Sequence, residues 1–258
     1  MSVECERVGG VNLSQGVCDL AVPAPVVEAA KAAIDRGENS YSRHDGTAPL
    51  RNALAEKYRR RAGLDVDPET NVVVSSGATG AQDWSCLALL EPGDEVILFE
   101  PYYSYHESTL IATEAVPVFV KTKAPDWSFS MEDLENAVTS RTKAIIVNTP
   151  SNPSGKVWTR AELEMIAEFC QRHDLFVFTE EIYEHFIFDD MEHISAASLP
   201  GMWERTITIS GLSKTFSITG WRIGYAICDA KWAEAIGNFS DLVYVCAPTP
   251  LQMGAAAG

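Results

Sequence analysis

Ser210-Gly-Leu-Ser-Lys-Thr-Phe-Ser-Ile-Thr-Gly-Trp-Arg-Ile-Gly-Tyr225 is the stretch from which the rest of the chain can be read. A β-type run at 206–209 leads into it and delivers Lys214 into a segment of small and hydroxyl residues, with Arg222 beyond Gly220 and Trp221. Lysine forms Schiff bases with carbonyl compounds when its surroundings lower its pKa. Hydroxyls and a guanidinium are what a phosphate monoester needs, because guanidinium grips phosphate through parallel hydrogen bonds. Pyridoxal 5'-phosphate (PLP) carries both an aldehyde and a phosphate. Ser210 and Ser213, just before Lys214 in the chain, are candidate hydroxyl donors to that phosphate.

Outward from this stretch, apolar β-branched runs alternate with helical patterns, which predicts a mostly parallel sheet covered by helices. Strands are expected at 71–75, 95–99, 116–120, 144–148, 176–180, 206–210 and 223–228. The fold class is therefore α/β, a seven-stranded sheet with helices on both faces. Helix starts and stops are legible between the strands. Thr159-Arg-Ala-Glu162 is a capping box opening a helix through His173. Pro25 fits the first turn of a helix ending at Gly37, and Thr47-Ala-Pro49 opens another that stops before Gly63. A helix is expected over 81–90, and Gly254-Ala-Ala-Ala-Gly258 reads as the start of one more.

Four further motifs follow strands. Ser75-Ser-Gly-Ala-Thr-Gly80 is a Gly-rich strand-to-helix turn, whose unpaired N–H groups suit an anion at the positive end of a helix. Glu100-Pro-Tyr-Tyr-Ser-Tyr105 offers an aromatic ring for stacking; core packing is the better reading for Tyr102 and Tyr105. Asn148-Thr-Pro-Ser-Asn-Pro-Ser-Gly155 makes a rigid turn able to aim one amide into a cleft, or a plain Asn/Pro loop. Thr179-Glu-Glu-Ile-Tyr183 closes another strand.

Together these runs resemble the class I/II aminotransferases, PLP enzymes of fold type I, nearly end to end from Asn12-Leu-Ser-Gln-Gly16 onward. The resemblance implies that Lys214 holds PLP as an aldimine and then moves a proton between the substrate Cα and the cofactor. Arg222 would hold the phosphate with Gly77, Ala78 and Thr79. Tyr103 would stack on the pyridine ring, and Asn152 and Tyr183 would reach its phenolic oxygen. Tyr41 would touch the phosphate of a neighbouring subunit, implying a homodimer, and Gly16 would line the substrate pocket. One position departs from the pattern: Glu180 stands where the family has the aspartate that pairs with the pyridine nitrogen. Glutamate keeps the charge that makes the ring an electron sink. Its extra methylene moves the carboxylate by ~1.5 Å, a misplacement expected to cost activity.

The expected function is transfer of an amino group between an α-amino acid and a 2-oxo acid. A PLP-dependent lyase or cyclopropane-forming synthase on the same frame, and a non-catalytic PLP-binding module, are the alternatives. Residues 1–40 read as an N-terminal segment and 41–258 as the large PLP domain. The resembled family continues into a smaller C-terminal domain carrying the arginine for the substrate carboxylate, so this chain is expected to lack that domain and to turn over poorly.

Composition sets the remaining bounds. A formal net charge of −16 argues against nucleic acid and anionic membrane surfaces as partners. No apolar run is long enough for a membrane helix, and the first residues lack the basic start and apolar core of a signal peptide. The 6 cysteines are widely spaced without a C-x-x-C pair, which suits free thiols in a reducing compartment and a cytoplasmic location. The 5 histidines show no metal-ligand spacing.

Overall fold

A computed structural model describes residues 2–12 and 15–258; Met1, and Leu13 and Ser14 of the 12–16 run, lie outside the described residues. Strands β1 (Val72–Ser76), β2 (Glu95–Glu100), β3 (Val116–Lys121), β4 (Thr142–Asn148), β5 (Phe176–Glu180), β6 (Thr206–Gly211) and β7 (Ile223–Ile227) form one sheet. Their order is β1-β7-β6-β5-β4-β2-β3. β7 is antiparallel to both of its neighbours and the other pairings are parallel. Every strand falls where the apolar runs place it, with ends displaced by at most 2 residues.

The helices in chain order are α1 (Ser2–Arg7), α2 (Ala24–Asp35), α3 (Ala48–Ala62), α4 (Gly77–Leu89), α5 (Ser104–Ala112), α6 (Met131–Ala137), α7 (Arg160–His173), α8 (Leu212–Thr215), α9 (Ala230–Tyr244) and α10 (Thr249–Ala256). Alternate strand residues point to opposite faces, so each face of a doubly covered sheet builds its own core. Val73, Leu98, Ile146 and Ile209 pack with Trp84 of α4, Leu110 of α5 and Ile236 of α9. On the opposite face Ile97, Ile145 and Val177 meet Leu134 of α6 and Leu163 and Phe169 of α7. On that same side Val74, Tyr225 and Ile227 meet Val26 of α2, Leu50 and Leu54 of α3, and Ala255 of α10. These buried apolar contacts, at roughly 25 cal/mol per Å² removed from water, are the main force holding the layers together.

Helix ends follow the sequence signals. Thr159 and Glu162 form the reciprocal capping box at α7, and α3 stops at Gly63, whose φ of 66° is left-handed. Two helices begin earlier than their sequence signals suggest. α4 starts at Gly77, directly from β1, rather than at residue 81. α10 starts at Thr249 rather than at Gly254, with a proline in its first turn. Gly254 lies inside α10 instead, where a Cβ would stand 2.7 Å from the Ala30 Cβ of α2. Its missing side chain lets the two helices pack closely.

The topology decides where chemistry gathers. In an open α/β sheet, ligands bind beyond the carboxyl ends of the parallel strands. The loops after β2, β4, β5 and β6 leave from that edge. Because β7 runs the other way, its first residue reaches the same edge: Ser76 pairs with Ile223, and Gly211 with Gly224. The end of β1, the end of β6 and the start of β7 thus converge.

Candidate active site

At this edge lies an open cleft of about 610 Å³, lined by Gly16, Ala78, Thr79, Tyr103, Tyr105, Asn152, Glu180, Tyr183, Ser213, Lys214 and Arg222 among others. Its size suits a cofactor-sized ligand. Lys214 is half-buried on α8, and its Nζ donates to the carbonyl oxygen of Gly16. Among the described residues lining the cleft it is the only lysine. Cys18, whose Sγ lies 3.7 Å from the Lys214 carbonyl oxygen, brings the N-terminal segment against α8.

Arg222, also lining the cleft, adopts a left-handed conformation with φ 55° and ψ 49°, which is uncommon for a residue with a side chain. Its guanidinium donates to the carbonyls of Thr219 at 3.0 Å and Ser76 at 3.5 Å. Gly77, with φ 74°, makes that approach possible, since a Cβ there would collide with the guanidinium. Gly224 is equally confined, because a Cβ would strike the backbone of Gly77 and Ala78.

An α-helix leaves the N–H groups of its first turn without intrahelical partners. At α4 the N–H of Ser76 is spent on the Tyr244 hydroxyl and that of Gly77 on the Arg222 carbonyl, the latter at 3.0 Å. The next two, of Ala78 and Thr79, belong to residues that line the cleft. Gly77 therefore corrects the sequence expectation in one respect. It shapes the turn, but its own N–H is already committed.

Glu180 ends β5 inside the cleft, and its Oε2 lies 2.7 Å from Nε2 of buried His106. Tyr103 caps α5 with its ring edge-to-face against His106, centroids 5.5 Å apart. Burial, and after it the charge of Glu180, pushes the Tyr103 hydroxyl up to about 12. Burial and then Glu180 also raise Tyr183, against an opposing hydrogen bond from Asn152. Both phenols therefore keep their protons at neutral pH and serve as donors. Asn152 is aimed by its own loop, its N–H donating to the Asn148 side chain at 2.6 Å.

One expected donor lies elsewhere. Ser210 is fully buried, and its hydroxyl donates to the Glu181 carbonyl at 3.2 Å and the Glu184 carboxylate at 3.4 Å. Successive strand residues alternate faces, so Ser210 turns away from the cleft that the α8 residues Ser213 and Lys214 line. Tyr41 is 81% exposed and does not line the cleft of its own chain. Tyr105, read from sequence as core, is 55% exposed at the cleft, whereas Tyr102 packs against Phe119 with centroids 5.2 Å apart. His106 was missed by sequence reading. The only local signal was its place one turn after Tyr103, on the helix that Tyr103 caps.

Among the described residues no group of three or more His, Cys, Asp or Glu side chains is placed to hold a metal ion. None of the described helices is long and apolar enough to cross a membrane.

The sequence model of "Aminotransferase class I and II" matches residues 8–258. Kynurenine–oxoglutarate transaminase 3 of Mus musculus is 40% identical over 257 residues, covering 95% of this chain and 56% of that protein. A probable N-succinyldiaminopimelate aminotransferase of Mycobacterium tuberculosis is 41% identical over 258 residues, covering 99% of this chain and 65% of that protein. The solved structure of N-succinyldiaminopimelate aminotransferase from Mycobacterium tuberculosis superposes with a TM-score of 0.96 at 40% identity, over 99% of this chain and 67% of that one. The chain thus spans a little more than half to two thirds of these relatives. With its motifs gathered on one cleft and a family match along nearly its whole length, the chain belongs to the class I and II aminotransferase family.

Proposed function

We propose that this chain acts as a PLP-dependent aminotransferase, moving an amino group between an α-amino acid and a 2-oxo acid. One observation carries the reading: a lysine amine, an arginine-backed helix N-terminus and an anionic carboxylate line the same cleft. These residues fit PLP. The turn where Gly77 lets the Arg222 guanidinium come close, next to the first-turn residues Ala78 and Thr79 that line the cleft, suits the phosphate. Glu180 suits the ring nitrogen, Asn152 and Tyr183 the phenolic oxygen, and Tyr103 the ring face. Ser213, at the cleft beside Lys214, is a further phosphate donor.

When bound, PLP supplies an electron sink that stabilises negative charge developing at the substrate Cα. The chain's own residues do the rest. Lys214 Nζ is the attachment point for the aldehyde and the base that takes and returns the proton at Cα. Its hydrogen bond to the Gly16 carbonyl keeps the amine at the cleft surface. Glu180, braced by His106, holds negative charge where the ring nitrogen would sit. Arg222 fixes the phosphate end, so the reacting end is oriented before chemistry.

The remaining assignments belong to the same proposal. Exposed Tyr41 supports a homodimer in which each chain reaches the other's phosphate. Residues 41–258 hold every described strand, which supports dividing the chain at residue 40. Free cysteines suit a reducing compartment, supporting a cytoplasmic location.

Borohydride reduction of the PLP-loaded protein followed by peptide mapping tests the core of the proposal. A pyridoxyl group on Lys214 is expected, together with a visible absorption that an α-amino acid bleaches. Label on another lysine removes the assignment. Absorption indifferent to every amino acid tried points to a binding module instead.

A further inference from the structure

Tyr244, the last residue of α9, sits behind the turn that joins β1 to α4. Its hydroxyl accepts hydrogen bonds from the backbone N–H of Ser76 and, at 3.4 Å, from the indole N–H of Trp84. The two rings are 5.6 Å apart, and Gly80 lies beside the hydroxyl. Ser76 is therefore held from two sides: Tyr244 takes its N–H, and Arg222 donates to its carbonyl at 3.5 Å.

The backbone just beyond Tyr244 is strained. Val245 has φ 70° and ψ −60°, and the Cys246 N–H donates to the Tyr244 carbonyl at 2.8 Å. That is a γ-turn of the rare, strained hand, centred on a β-branched residue for which positive φ is costly. Such conformations persist only where the surroundings over-determine them, and they cluster at functional sites. Here the turn stops α9 at Tyr244 and sends the chain off toward α10, leaving the phenol seated on Ser76.

We propose that Tyr244 is a positioning residue for the anion-binding turn. By taking the Ser76 N–H it fixes the first turn of α4, so that the N–H groups of Ala78 and Thr79 are held at one phosphate position before the ligand arrives. The role rests on the PLP reading. Preorganised donors add affinity because their ordering cost is met during folding rather than on binding. In Tyr244→Phe the Ser76 N–H loses its partner, and the turn is free to rotate in search of another.

The test compares the affinity of PLP with that of pyridoxal, which lacks the phosphate, by absorbance titration of the apoprotein. Wild type should prefer PLP. Tyr244→Phe should narrow that preference roughly five- to tenfold, the worth of one neutral hydrogen bond, while its pyridoxal affinity stays at the wild-type value and so reports an intact fold. Trp84→Phe disturbs the same α4–α9 contact but keeps the Ser76–Tyr244 bond, and should keep the wild-type ratio. An unchanged ratio in Tyr244→Phe overturns the role, as does an equal narrowing in Trp84→Phe, which would assign the effect to packing. A wild type that binds PLP no better than pyridoxal removes the phosphate reading and this role together.

Discussion

A single methylene separates Glu180 from the aspartate that its motif leads one to expect, and His106 is where that methylene is accommodated. With the carboxylate 2.7 Å from His106 Nε2, the longer side chain ends on a buried partner rather than in open space. Glu180→Asp would draw the carboxylate back by ~1.5 Å and break that contact. The expected result is a shifted pH titration of the visible absorption of bound PLP with little gain in turnover, because drawing the carboxylate back also breaks its buried contact. Higher turnover with an unshifted spectrum in Glu180→Asp would show that the pair contributes nothing. Lys214, Asn152 and Tyr183 were legible because each sits in a short motif beside a strand end. His106 was not, because its partner is 74 residues away. The Ser210 expectation failed for a related reason: a serine next to the lysine run in sequence is on the opposite face of the strand.

At the scale of elements, the termini of helices decide both stability and site. Thr159 accepts from the Glu162 N–H and Glu162 accepts from the Thr159 N–H, closing both ends of the capping box at α7. Thr159→Ala should cost about 1 kcal/mol, read as a lower urea midpoint with an unchanged slope. An unchanged midpoint would mean that solvent serves those N–H groups equally well. The N-terminus of α4 is under tighter constraint. Gly77→Ala would place a methyl group against the Arg222 guanidinium at a positive φ. Strain of this kind is worth about 1–3 kcal/mol, and here it falls on the proposed phosphate site. PLP affinity should drop well beyond any loss of pyridoxal affinity; equal losses would indicate general unfolding. The glycine-rich turn was visible in the sequence as a candidate anion site. That α4 begins at Gly77 itself was not, because the register is imposed by β7 and Gly224 packing beneath the turn.

Across the whole molecule the segment after β5 serves two faces. Glu180 and Tyr183 line the cleft, whereas Glu181 and Glu184 are buried on the other side. There Glu181 holds His193 at 3.1 Å and accepts from Ser195 at 2.9 Å, and Glu184 accepts from Lys57. Burial alone would lower the His193 pKa, but the hydrogen bond and charge of Glu181 outweigh it and raise the imidazole above 6.5. A folded-state pKa raised in this way stabilises fully below the unfolded value and is lost as pH climbs through the folded one. The stability advantage of wild type over His193→Gln should therefore be larger at pH 6 than at pH 9 in urea titrations. The same advantage at both values would exclude the ion pair as its source. At this scale also, if Tyr41 serves the proposed homodimer, Tyr41→Phe should weaken PLP binding, and dilution to monomer should weaken it further. Tight binding by a monomer indifferent to that change would withdraw Tyr41 from the site. By itself the sequence determined the strands, the helices between them and the motifs at the strand ends, because periodicity, caps and turn chemistry act between near neighbours. Only the tertiary structure decided that His106 backs Glu180, that Ser210 turns away, and that Tyr244 reaches across 168 residues to Ser76. Those pairings are set by which faces pack and in what register, and no short stretch of chain encodes that.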